Sequence, residues 1–150
     1  MVKRFSATGL CTTGTNKTAL HIVGTATTRG AIYDVWFSSV TAPADVAIRV
    51  GIIRITAIGT EGAAVVPAPL DIADAACVTD VGENHSVEPT YTAATEMFDN
   101  SFNQRATLRF VAVPGGELVY PATAAAGFGI KSISVSSGTP QMEVTAHFIE

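Results

Sequence analysis

Three histidines, His21, His85 and His147, are the first residues in this chain that could do chemistry. As metal ligands or general bases they would need a second His, a Cys or a carboxylate at ligand spacing, and none has one. Each therefore reads as an isolated surface or strand-edge histidine. The acids Asp71, Asp74, Asp80 and Glu83 fall close together. Their spacing is not that of a calcium loop, which alternates oxygen donors around a Gly and ends on a Glu, so a solvated acidic loop is expected. Gly127-Phe-Gly-Ile-Lys-Ser132 has the residue types of a phosphate loop but lacks the adjacent Gly-Lys-Ser/Thr and the helix that follows it. No G-x-S-x-G elbow is present for a serine hydrolase. Glu117, beside Gly116, reads as a turn-flanking carboxylate or as an ion-pair partner of Arg105 or Arg109. The sequence offers no catalytic residue, no metal site and no cofactor site, and a non-enzymatic protein is expected.

Composition narrows the remaining classes. A chain of 150 residues is long enough to bury a real core in one domain. Charged residues make up 15% and hydrophobic residues 47%, against a usual charged share of roughly 25%. Two explanations fit: surfaces covered by neighbours, or a large core under a Thr/Ser-rich exterior. The net charge of −4, from 9 basic and 13 acidic residues, argues against direct nucleic-acid binding through a basic face. The start, Met-Val-Lys-Arg-Phe-Ser-Ala-Thr-Gly-Leu, lacks a signal-peptide core. No apolar run reaches the ~18 residues that span a membrane, so no membrane partner is expected. Cys11 and Cys77 give no disulfide framework and read as two free, partly buried thiols.

The elements that would position these residues are strands. Residues 1–17 alternate small, polar and Gly positions, with Phe5 and Leu10 the only large apolar groups, and read as an N-terminal arm with at most one short edge strand. Lys3 and Arg4 on that arm could reach an acidic neighbour. Residues 18–150 then form one β-sandwich domain. The run 31–40 carries Ile32, Tyr33, Val35, Trp36 and Phe37 on both faces, as in a central strand or one covered by a partner, with Trp36 assigned to the core. In 46–58 the apolar parity changes at Gly51-Ile52-Ile53, which predicts a β-bulge; Arg49 and Arg54 face away, toward solvent or another subunit. Leu70-Asp-Ile-Ala-Asp-Ala-Ala76 predicts one short helical turn capped by Asp71. In 105–130 a strand runs into a turn at Pro114-Gly115-Gly116, a short strand that ends at Tyr120, a kink at Pro121 and a further strand from Gly127. In 141–149, Met142, Val144, Ala146 and Phe148 alternate inward. About eight strands with turns every ten residues or so predict an all-β, jelly-roll-like sandwich.

A family resemblance rests on the same stretch. Asn103-Gln-Arg-Ala-Thr-Leu-Arg-Phe-Val-Ala-Val-Pro-Gly-Gly-Glu-Leu-Val, followed by Pro121-Ala-Thr-Ala-Ala and Gly127-Phe-Gly-Ile-Lys131, resembles small structural proteins encoded among the head genes of tailed bacteriophages. Gly59-Thr60 and Pro67-Ala-Pro-Leu-Asp71 are similar to the same group. The resemblance implies a virion component, assembled in the host cytoplasm: a capsid decoration or cement protein that binds the outer face of the major capsid protein and stabilises the head. No active site comes with that role. Contact residues expected on this reading are Lys3, Arg4, Phe5, Arg49, Arg54, Arg105, Arg109, Glu117 and Tyr120. The charge-poor surface and the two-faced strand 31–40 add an expectation of self-association, as a trimer. The alternative is a carbohydrate- or receptor-binding module of a fibre or tail. It would need exposed aromatics beside polar loop tips, for which Tyr33, Trp36, Tyr91 and Tyr120 are the candidates.

Overall fold

The computed structural model describes residues 2–150. Twelve strands follow one another: β1 (Arg4–Thr12), β2 (Lys17–Val23), β3 (Gly30–Ser39), β4 (Ala47–Ala57), β5 (Ala63–Ala64), β6 (Ala68–Pro69), β7 (Asp80–Glu83), β8 (Thr90–Asn103), β9 (Leu108–Val111), β10 (Leu118–Tyr120), β11 (Gly127–Val135) and β12 (Gln141–Ile149). They form two six-stranded sheets. The first runs β10-β3-β12-β1-β6, with β9 also on β3; the second runs β5-β7-β2-β11-β4-β8. The neighbours in both are antiparallel, as in the expected sandwich. The count exceeds eight because β5, β6 and β10 have two or three residues each, too few to show a periodicity.

The core lies between the sheets. Strand β12 supplies Met142, Val144, Ala146 and Phe148, all fully buried, as its alternation predicts. Ile32, Val35 and Phe37 of β3 face them from the same sheet, and Leu20, Ile22, Ile48, Val50, Ile52 and Ile130 close the core from the other. The predicted bulge in β4 is present. The pairing with β8 slips between Ile52 and Ile53, and Ile53 and Ile55 are buried although they leave the parity of Ile48, Val50 and Ile52.

Three expectations are corrected. Most of 1–17 is strand, not arm. β1 pairs with β12 over nine residues, and Phe5 is fully buried, stacked on Phe148 at 5.8 Å between ring centres. The inward positions are Phe5, Ala7, Gly9 and Cys11, mostly small residues that give a weak apolar signal. Met1 lies outside the described residues.

The helical turn at 70–76 is a β-turn. Asp74 N–H donates to Asp71 O at 2.9 Å, and the Asp71 carboxylate accepts from Ala73 N–H instead of capping a helix. Leu70 and Ile72 are exposed, so that segment has no buried face to sustain helix. Trp36, assigned to the core, points outward and is 38% exposed, because Val35 and Phe37 take the inward positions on either side of it.

Candidate binding surface

The outer face of the first sheet carries a polar-aromatic cluster at β9, β3 and β12. Trp36 pairs with Arg109 on one side and Thr145 on the other, so the three side chains form a row across the sheet. Two residues along, on the same face, Asp34 lies opposite His147. Asp34 is 4% exposed and at the centre of the network. Arg109 donates to both carboxylate oxygens at 2.8 Å, a bidentate fork. Trp36 Nε1–H donates to Oδ2 at 3.2 Å, and His147 Nδ1 lies at the same distance from it.

Burial pushes the Asp34 carboxyl up, but the hydrogen bonds from Arg109, His147 and Trp36 outweigh it and hold it below the usual carboxylate range. The Arg109 guanidinium also lies 4.2 Å above the Trp36 ring, and Tyr33 stacks on His147 at 6.1 Å. Buried, forked by Arg109 and carrying three of its four contacts on Oδ2, Asp34 is a structural anion and not a base. What remains open is the indole. It borders a hollow of about 430 Å³ with Phe37, Ser38, Thr107, Thr145 and His147. A half-exposed aromatic ring can stack on a ligand while the hydroxyls around it donate and accept hydrogen bonds.

A second surface is apolar. The segment 65–78 leaves β5, crosses to the first sheet at β6 and returns to β7 in the second. It presents Val66 at 88%, Ile72 at 98%, and Leu70 and Val78 each at 52% exposure. Pro67 and Pro69 limit β6 to two residues on the sheet edge, pairing only with Phe5 and Ser6. The loop is tied at both ends and in the middle: Val65 N–H donates to Val81 O, Leu70 N–H donates to Arg4 O, and the Glu150 carboxylate accepts from Val78 N–H and Thr79 N–H.

The expected contact residues do not converge. Phe5 and Tyr120 are interior and cannot present themselves to a partner: Phe5 is in the core, and Tyr120 exchanges a hydrogen bond with Thr79 Oγ1 at 2.9 Å. Arg49 is paired with Asp99, Arg105 with Asp45 and Arg109 with Asp34. Glu117 accepts from Gly115 N–H at 3.2 Å, the turn-flanking role rather than an ion pair with Arg105 or Arg109. Lys3 exchanges backbone hydrogen bonds with Glu150, and Arg4 is exposed beside Asp71 and Asp74. Arg54 is exposed on β4.

The histidines are not isolated. His21 Nδ1 lies 2.9 Å from His85 Nε2, with both rings buried. They meet because β7 pairs with β2 and His85 comes two residues after β7 ends. Gly82, opposite His21, leaves the space: a Cβ there would sit 2.6 Å from the His21 ring. Burial, and then the charge of His85, pushes His21 down to about 4. Glu61 and Asp80 approach its Nε2 at 3.9 and 4.0 Å. Among the described residues no group of three or more His, Cys, Asp or Glu is placed to hold a metal ion.

Asp34 carried a signal that was readable: a lone acid inside the strand-forming run 31–40 needs a partner if buried. Ile72 carried only a faint one: in the helical turn expected there it falls off the face shared by Leu70, Ala73 and Ala76, with nothing else to mark it as exposed. Comparison with protein-family models, with curated proteins and with solved structures returned no match.

Proposed function

We propose that this protein is a non-enzymatic structural component of a virus particle, a decoration or cement protein that binds the major capsid protein on the outer face of the head and stabilises it. The observation that carries the reading is the apolar segment 65–78, with Ile72 98% exposed. Burying a side chain of that size against a partner is worth about 1.5–3 kcal/mol. The sandwich core does not use it, so its burial is available to a partner. Repeated around a particle, or combined in a trimer, such modest contacts add up to firm attachment. The resemblance of 103–131 to phage head proteins supplies the identity of the partner.

The test is co-sedimentation with undecorated heads of the virus concerned. The wild-type chain is expected to sediment with them, and Ile72→Ser to attach at least about tenfold more weakly, the loss of one buried side chain. A wild-type chain that stays in the supernatant, or an Ile72→Ser chain that binds equally well, overturns the reading.

One observation favours a second reading, a carbohydrate-binding module. Trp36 is exposed over a hollow with Ser38, Thr107 and Thr145 hydroxyls around it. A sugar ring stacks on such an indole while its hydroxyls find those partners. Glycan-array binding that Trp36→Ala abolishes would carry this reading; a blank array would dispose of it.

A further inference from the structure

A further hollow is distinct from both of these surfaces. It has a volume of about 770 Å³ and opens where one edge of the first sheet meets the second. Arg54, Ile55 and Thr56 of β4, Thr92 and Thr95 of β8, Val119 of β10 and the segment 121–127 wall it, with Arg29 at the rim. The geometry points to a binding site for an oxyanion carried on an apolar body, most simply a carboxylate with a short hydrocarbon chain.

Three observations carry this. First, two arginines, Arg29 and Arg54, and no acid line the hollow, in a chain whose net charge is −4. Ion pairs engage Lys17, Arg49, Arg105 and Arg109, but among the described residues neither Arg29 nor Arg54 is in one. The acid that shares a neighbouring hollow with Arg29 is Glu150, whose carboxylate is taken up by Val78 and Thr79. Arginine's planar fork matches a carboxylate in two parallel hydrogen bonds, so an incoming oxyanion meets donors with no internal competitor.

Second, the rest of the lining suits an apolar body. Ile55, Val119, Pro121, Ala122 and Ala126 are hydrocarbon, and Thr56 and Thr92 add hydroxyls. The volume is within the range of small-molecule sites, roughly 300–1,000 Å³. Third, a bulge in β8 and the turn before β11, both beside the hollow, are held in strained backbone. Ala94 has φ of 55° and Ala125 has φ of 62°, a left-handed conformation that alanine rarely adopts. Each is closed by a hydrogen bond, Thr95 Oγ1–H to Thr92 O at 2.7 Å in the bulge and Ala126 N–H to Thr123 O at 3.2 Å in the turn. Strain of this kind gathers where backbone is fixed for a ligand.

The oxyanion could arrive as a free acid or on a protein segment, and the experiment separates the two. Amide shifts of the full chain are followed by NMR during titration with octanoate, with octanol, with inorganic phosphate, and with a short peptide carrying Asp among apolar residues. Saturable shifts at Thr56, Thr92, Val119 and Ala126 are expected with octanoate or the peptide, and the stronger of the two names the source. Octanol and phosphate are each expected to bind at least about tenfold more weakly, one lacking the charge and the other the body. Arg54→Gln and Arg29→Gln should each reduce binding by a similar factor, while Arg105→Gln, whose side chain is elsewhere, should not. Thermal unfolding of each variant checks that it is folded. Equal binding of octanol and octanoate, equal binding of phosphate, indifference to both arginine variants, or no saturable shift with any probe overturns the site. The inference does not rest on the capsid reading, and neither outcome alters the co-sedimentation test.

Discussion

At the residue scale, the buried His21–His85 pair makes stability depend on pH. In the unfolded chain a histidine titrates near 6.5, whereas His21 is held down to about 4 by burial and by His85, and His85 is lowered too, chiefly by burial. Above pH 6.5 both states hold the rings neutral. Below it the unfolded chain takes up protons that the folded chain refuses, so stability falls as pH drops from about 6.5 toward 4. The slope approaches about 1.4 kcal/mol per pH unit for each histidine fully engaged. Urea midpoints from pH 7 to 4.5 should show the decline, and His21→Gln should flatten it. A flat wild-type profile would refute this. Asp34 acts in a separate window: its lowered carboxyl contributes stability above its unfolded value near 3.8, lost only as pH falls further. The thiols should be inert by the same physics. Burial, then the charge of Glu88, pushes Cys11 up to about 12; burial, then Glu150, does the same for Cys77. A disulfide reagent at neutral pH should label neither until the chain unfolds; rapid native labelling of either would contradict this. None of this was legible in the histidine spacing, since residues 64 apart meet only through the pairing of β2 with β7.

At the scale of elements, the strands with clean alternation were legible and those built from small residues were not. β12 announces its inward face through Met142, Val144, Ala146 and Phe148, and the parity change at Gly51-Ile52-Ile53 marks the slip in β4. β1 hides its inward face behind Ala7, Gly9 and Cys11, so only its pairing with β12 reveals it as sheet. The correction has a measurable consequence. Phe5→Ala should cost about 3–5 kcal/mol in denaturant unfolding, the range for a buried phenylalanine. A change below 1 kcal/mol, as expected of a frayed arm, would contradict it. β11 offers a second check. A Cβ at Gly129 would lie 2.6 Å from Tyr91 Oη, and that ring bonds Thr18 and carries Lys131 Nζ 3.8 Å from its centre. Gly129→Ala should therefore destabilise the fold by about 1–3 kcal/mol through overpacking; an unchanged midpoint would show that the ring moves freely.

At the scale of the whole molecule, the division of labour follows from where apolar groups are left. The sandwich is closed by its own core, while Ile72, Val66, Leu70 and Val78 remain exposed on one segment. Ile72→Ser should leave stability within about 0.5 kcal/mol of wild type, as exposed substitutions do, which separates a binding defect from a folding defect. Of the contact residues expected from the sequence, Phe5 and Tyr120 face inward and most of the arginines are spent on internal ion pairs. Charge patterns in a sequence do not reveal which arginines will find partners across a sheet. The most direct test of the capsid reading is the copy number of this chain in purified particles of the virus concerned, by quantitative mass spectrometry against the major shell protein. A ratio near one, or near a simple fraction of one, is expected; absence from particles, or only a few copies in each, would contradict it.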